Sequence, residues 1–345
     1  MGDADASAAL RERVREARAA GERLCVRGGG TRTAAPDGVA ALELGTHRGI
    51  VAFEPSELVV TVRAGTPLVE LEAVLAQSGQ ELPFDPPRMG LAATVGGAVA
   101  TAAAGPARPW RGAARDAVLG VTLLDGHGEI GRFGGAVMKN VAGYDVSRLV
   151  AGSRGTLGAI LETSLRVLPR PAARCTRVLE LGMDHAVETM TALAQRALPL
   201  QGLAWVEGFL HVRLGGTEEG VAAAAAVVGG EPLAEEAPFW RALRDLELPA
   251  LAADVPLWRL SVPGNAPQPT LTADWVLDWA GAQRWCVSAA EPERVLAAAA
   301  ELGGHARRLR PAPELATDPA PALAQLEARV RAAFDPDGVF APEDR

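Results

Sequence analysis

Hydrophobic positions first recur at helical spacing near the start of the chain. Leu10, Val14 and Ala17 share one face over residues 5–20, and Gly21 stands where such a helix stops. Arg23 to Arg27 reads as a short strand that runs into Gly28-Gly29-Gly30-Thr31, a glycine-driven loop. The β-branched run Leu58 to Val62 predicts a buried strand. Thr66-Pro67 then supplies an N-cap and a proline at the first helical position. The apolar stripe Leu68, Leu71, Leu75 follows, and Gly79 ends it. Residues 83–90 form a proline-rich loop. Residues 117–124 and 129–133 read as two strands joined by the turn Asp125-Gly126-His127-Gly128. Residues 160–168 are a further strand, stopped by Pro169-Arg170-Pro171, where a domain boundary is expected.

Beyond that boundary the pattern repeats. Residues 176–181, 186–198, 203–206, 210–214 and 219–228 give β-α-β-β-α. Residues 239–246 (helix), 257–262, 275–279 and 284–288 (strands) and 292–302 (helix) give a similar series, and two ferredoxin-like halves account for both. Leu323, Leu326, Val330 and Phe334 are spaced for one face of a last helix, which Asp335-Pro336-Asp337-Gly338 breaks. The expected organisation is α+β throughout. It has a first domain over 1–170, a cap over 171–310, and a C-terminal helix and tail over 311–345 that pack back on the first domain.

Composition narrows the function. The 345 residues allow about two domains. With 48% hydrophobic and 22% charged residues the chain has material for two cores, which excludes wholesale disorder. A formal charge of −8 argues against nucleic acid as a partner. Cys25, Cys175 and Cys286 are too scattered for a disulfide framework, a zinc site or an iron–sulfur cluster. The run Leu91 to Gly105 is too short and too glycine-rich to insert in a membrane. No apolar segment follows Asp3, Asp5, Arg11, Glu12 and Arg13, so no secretory signal and a cytoplasmic location are expected. Peripheral attachment to the inner face of the cytoplasmic membrane through partners would leave no mark.

The scarce residue types cluster. The one lysine (Lys139), the one tyrosine (Tyr144) and one of two asparagines (Asn140) fall in Met138-Lys139-Asn140-Val141-Ala142-Gly143-Tyr144-Asp145. A polar loop by chance is one reading. A site that needs a compact point charge and a ring hydroxyl is the other. Gly126-His127-Gly128-Glu129-Ile130-Gly131 matches G-x-G-x-x-G, but no helix can start at Arg132-Phe133-Gly134-Gly135, so it reads as a hairpin turn. The informative set is three glycine-rich segments, 27–31, 94–97 and 152–158. Each removes a Cβ from the path of a ligand and offers main-chain N–H groups to phosphate oxygens.

Val26-Arg27-Gly28-Gly29-Gly30-Thr31, Thr94-Val95-Gly96-Gly97, and residues 143–149 with Gly152-Ser153-Arg154-Gly155-Thr156-Leu157-Gly158 resemble the FAD-binding domain of the vanillyl-alcohol-oxidase (PCMH-type) flavoproteins. Residues 105–112, Arg115-Asp116, Phe133-Gly134-Gly135, 137–145, His47-Arg48-Gly49-Ile50-Val51 and 334–340 are similar to one branch of that family, the E-type FAD subunits of bacterial glycolate-oxidising complexes. The resemblance implies a PCMH-type two-part FAD domain followed by a ferredoxin-like cap. It implies that Arg27, Gly28, Gly29, Gly30 and Thr31 hold the FAD pyrophosphate. Pro86, Pro87, Thr94, Gly96 and Gly97 would line the flavin and ribityl chain. Gly152, Gly155, Thr156, Gly158 and Ile160 would close over the adenine side, and Lys139, Gly143 and Tyr144 would lie near the isoalloxazine. A cation there would stabilise reduced anionic flavin.

Thr31 and Arg32 stand where some relatives carry the histidine that attaches FAD, so the resemblance implies non-covalent FAD. Catalytic members also carry a metal-binding histidine pair and a later Glu-His-Gly in the cap. His47, His127, His185, His211 and His305 show no such spacing. No general base for a hydroxy acid suggests itself, so no catalytic residue and no metal ligand is assigned. The resemblance implies a subunit that binds FAD, relays electrons or braces the assembly, and pairs with a catalytic D-type FAD subunit and an iron–sulfur subunit to turn glycolate into glyoxylate. The alternative is a stand-alone FAD dehydrogenase of a small 2-hydroxy acid such as D-lactate. A structural subunit with a degenerate FAD pocket is a third reading.

Overall fold

A computed structural model describes residues 3–31, 36–135, 145–252, 254–311 and 315–341. The described chain forms two compact units. One comprises Met1–Ala104, Gly112–Arg170 and Pro319–Asp344, the other Gly105–Arg111 and Pro171–Asp318. No helix among the described residues is long and apolar enough to cross a membrane.

The first unit is built in two parts. The smaller pairs Leu24–Arg27 with Ala40–Glu43 in parallel and packs the helix Ser7–Ala20 against them. Leu10, Val14 and Ala17 are its buried face, and Gly21 closes the helix in the left-handed conformation at φ 66°. The tail completes this core. The Leu24 N–H donates to Val339 O at 2.7 Å, and the buried Asp335 carboxylate accepts the N–H groups of Val339 and Phe340 at 2.9 and 2.7 Å.

The larger part is a five-stranded antiparallel sheet in the order Ile50–Glu54, Val59–Arg63, Ala159–Arg166, Val118–Leu124, Ile130–Gly134. The helix Leu68–Gln77 buries Leu68, Leu71 and Leu75 against it. Thr66 does not cap that helix. Pro67 holds the cap position, and the buried Thr66 hydroxyl accepts the Gly49 N–H at 2.9 Å instead. The G-x-G-x-x-G stretch is a hairpin turn: Asp125 Oδ1 accepts the N–H groups of His127 and Glu129, both at 2.9 Å.

The second unit is one nine-stranded sheet, and its strand order resolves the repeat. Glu231–Pro232, Ala173–Glu180, Phe209–Gly216 and Leu200–Val206 lie in that order. By chain order this is the ferredoxin arrangement 4-1-3-2. Asp274–Asp278, Gln283–Val287, Leu257–Ser261 and His305–Arg310 follow as 2-3-1-4, the same arrangement reversed. The halves join edge to edge through their second strands, with Trp205 opposite Leu277. The second half has no α-helix between its first two strands.

Trp258, Trp275, Trp240 and Trp285 are all buried. Trp279 falls just past its strand at φ 52° and grips the segment Gly105–Arg111. Its Nε1 donates to Gly105 O at 2.9 Å, and the Arg108 guanidinium lies 4.4 Å from its ring. Trp110 packs on the second core as well. That is why residues 105–111 count with the second unit, which the contiguous range 1–170 does not capture.

The last helix, Pro321–Phe334, departs from its pattern. Phe334 packs on the first core, but Leu323 and Leu326 are 48% and 53% exposed, because nothing among the described residues covers the upper turns.

Against the second sheet, the helix Glu236–Asp245 is held by Trp240 Nε1, which donates to Thr176 Oγ1 at 2.8 Å. The Thr176 hydroxyl in turn donates to Glu236 Oε2 at 2.6 Å. Beside it the buried His211 ring stacks on Phe239 with centroids 3.9 Å apart. Burial pushes His211 down to about 4 from an ordinary 6.5. The native state therefore keeps the ring neutral where the unfolded chain protonates it. The stability this site contributes is complete above about pH 6.5 and is lost as pH falls toward 4, on the order of 3 kcal/mol in all. Urea midpoints of the chain should fall more steeply across that window than those of His211→Phe; equal slopes would refute the assignment.

Candidate cofactor site

The three glycine segments meet in the first unit, and their glycines are needed for that meeting. A Cβ on Gly28 would strike Thr94 Oγ1, and one on Gly29 would strike Ala92 O. On Gly96 it would reach Ala64 Cβ at 2.5 Å, on Gly155 Val26 Cβ at 2.9 Å, and on Gly158 Leu124 O at 2.5 Å. The sequence reading reserved this space for a ligand. The structure fills it with protein, so these glycines let the main chain pack closely on Thr94, Ala92, Ala64, Val26 and Leu124.

The meeting leaves a cleft of about 670 Å³, open mouth included. Among the described residues, its walls carry two charged side chains, Arg27 and Arg154, and no carboxylate. Of the three expected nests of N–H donors, one is open. Val95 N–H is spent on Thr66 O at 2.9 Å, Gly96 N–H on Ala64 O at 2.8 Å, and Gly97 N–H on Thr94 Oγ1 at 3.2 Å. In the third segment Gly152, Ser153, Arg154, Thr156 and Gly158 all donate to main-chain carbonyls. Among the described residues, no hydrogen bond engages the N–H groups of Gly28, Gly29, Gly30 or Thr31. Four consecutive open donors in a cationic, acid-free cleft suit the oxygens of a phosphate or diphosphate.

Arg27 shapes this nest from below. Its guanidinium lies against Gly30, which takes φ 64°, and its Nη1 stands 3.4 Å from Glu43 Oε1. Thr94 fixes the opposite wall by capping the short helix Val95–Ala100.

Of the sequence candidates, Arg27, Gly28, Gly29, Gly30, Thr31, Thr94, Gly96, Gly97, Gly155, Gly158 and Ile160 line the cleft together. Pro86, Pro87, Gly152 and Thr156 do not. Gly152 spaces its loop from Ala102, and the Thr156 hydroxyl donates back to Ser153 O at 2.7 Å. Lys139, Gly143 and Tyr144 lie outside the described residues. The lining also includes Leu44, Ala98 and Thr101, which have no sequence signal, and Val26 and Arg154, which stood inside quoted motifs unassigned. No histidine or cysteine lines the cleft. His185, His211 and His305 stand on separate elements of the second unit, a helix and two strands.

A family described as FAD binding domain matches residues 4–134. Glycolate oxidase subunit GlcE of Escherichia coli (strain K12) is 41% identical over 99% of this chain and 97% of that protein. The chain belongs to the GlcE family. Two other relatives match over less than half of the chain. Glycolate oxidase subunit GlcD of Bacillus subtilis is 32% identical over 44% of this chain and 32% of its own length. A D-lactate dehydrogenase of Anaerostipes hadrus is 32% identical over 46% of this chain and 33% of that protein. Among solved structures, alkyldihydroxyacetonephosphate synthase superposes with a TM-score of 0.68 at 14% identity, covering 96% of this chain and 73% of that one. That likeness establishes the PCMH-type fold.

The packing role of the glycines is testable. Gly29→Ala forces a methyl into the Ala92 carbonyl and should cost about 3 kcal/mol or more. Gly45→Ala, with open space around it, should stay within about 0.5 kcal/mol. Thermal melts compare the two; similar losses in both would contradict the packing argument.

Proposed function

We propose that this chain is the FAD-holding E-type subunit of a glycolate-oxidising complex, and that it binds FAD non-covalently in the cleft between its glycine segments. One observation carries the reading: among the described residues, four open N–H donors at Gly28 to Thr31 sit in a cleft lined by two arginines and no acid. That is the complement of a dinucleotide diphosphate, in a chain of this family. The absence of histidine and cysteine from the lining supports non-covalent binding. Bound FAD supplies electron acceptance and release. The chain's own residues hold it, with Gly28 to Thr31 on the diphosphate and Thr94 to Gly97 and Ile160 on the walls.

In this reading the glycolate chemistry belongs to a D-type FAD subunit, and an iron–sulfur subunit carries electrons onward. Any attachment to the inner face of the cytoplasmic membrane then runs through those partners. The alternative, a stand-alone dehydrogenase of D-lactate or a similar 2-hydroxy acid, draws on relatives such as the D-lactate dehydrogenase of Anaerostipes hadrus, which matches 46% of this chain.

The visible spectrum of the purified chain, followed by anaerobic addition of glycolate or D-lactate, separates these readings. The proposal expects a flavin spectrum that stays oxidised with either acid. Bleaching would make this chain a dehydrogenase in its own right. Colourless protein that cannot be reconstituted with FAD would overturn the cofactor assignment.

A further inference from the structure

The loop Gly152–Gly158 takes positive φ at four places. Three of them are glycine, at 95° (Gly152), 78° (Gly155) and 134° (Gly158); the fourth is Arg154 at 54°. A side chain in this region costs roughly 1–2 kcal/mol, which glycine would avoid. The backbone around it leaves no alternative. The Arg154 N–H donates to Ala100 O at 2.8 Å, and Gly155 seats its Cα against Val26, one residue before Arg27. A position held in the left-handed region thus keeps an arginine where its neighbours are glycine, and that arginine lines the cleft.

The charge of the cleft gives the side chain a task. Arg27, the other lining cation, lies under Gly30 and faces the Glu43 carboxylate at 3.4 Å. The open N–H groups of Gly28 to Thr31 contribute dipoles but no net charge. A diphosphate carries about two negative charges at neutral pH, and a guanidinium within reach binds such oxygens in a charge-assisted, often bidentate way.

We propose that Arg154 is a ligand of the diphosphate of the dinucleotide held in this cleft, and that its guanidinium adds positive charge from the Gly152–Gly158 loop. The assignment rests on the FAD reading above. It makes Arg154 a binding residue with no part in hydride transfer.

The left-handed backbone makes the test unusually clean, since Arg154→Gly removes the guanidinium and relieves strain at once. The flavin-stripped chain and its Arg154→Gly and Arg154→Lys variants are titrated with FAD and with ADP by calorimetry, at low and high salt. The glycine variant should melt at the same or a higher temperature. It should bind both ligands about tenfold to a hundredfold more weakly, with a shallower salt dependence. The lysine variant should recover part of the loss. Wild-type affinity for FAD and ADP in Arg154→Gly would overturn the proposal while leaving the FAD reading intact. A wild-type chain that binds neither ligand would overturn both.

Discussion

Everything at the candidate site depends on three stretches of main chain approaching one another more closely than side chains permit. Gly28 lies on Thr94, Gly29 on Ala92, Gly96 on Ala64, Gly155 on Val26 and Gly158 on Leu124. Each contact joins segments far apart in sequence, so none can form until the strands behind them are in place. Two cores do that placing. One packs Leu68, Leu71 and Leu75 against the five-stranded sheet; the other packs Leu10, Val14 and Leu24 against Val339 and Phe340 of the tail. Fixing so many glycines carries a high conformational-entropy cost, which this apolar burial must offset. The return is a cleft wall made of main chain, with the N–H groups of Gly28 to Thr31 left open.

Much of the fold was legible because it is local. The N-terminal helix with Gly21, the Asp125–Gly128 turn and the strand runs follow from spacing and turn chemistry alone. The paired ferredoxin pattern was legible too, although the second half omits a helix and only the strand order proves the repeat. The segment Gly105–Arg111 was not, since its place depends on Trp279, more than 160 residues away. Leu323 and Leu326 carry a core-like spacing that the described residues do not bury.

At the site, composition found the right segments and physical pairing changed their meaning. Glycine clusters point to a place where backbone must come close, but a sequence does not say to what. The neighbours proved to be Thr94, Ala92, Val26 and Leu124, and two of the three expected N–H nests are spent on main-chain or hydroxyl oxygens. Arg154 was hidden for a different reason. The chain holds 34 basic residues, nearly all arginine, so the type carries no signal; only the positive φ singles it out.

The claim at the centre of this account is that the three glycine segments form one dinucleotide seat whose phosphate contacts come from the Gly28–Thr31 nest. Hydrogen–deuterium exchange of the flavin-stripped chain, with and without FAD, tests it most directly. The account predicts strong new protection at the amides of residues 28–31. It predicts little change at residues 95–98, whose amides are already bonded. Protection confined to residues 95–98, or no change at 28–31 under saturating FAD, would contradict it.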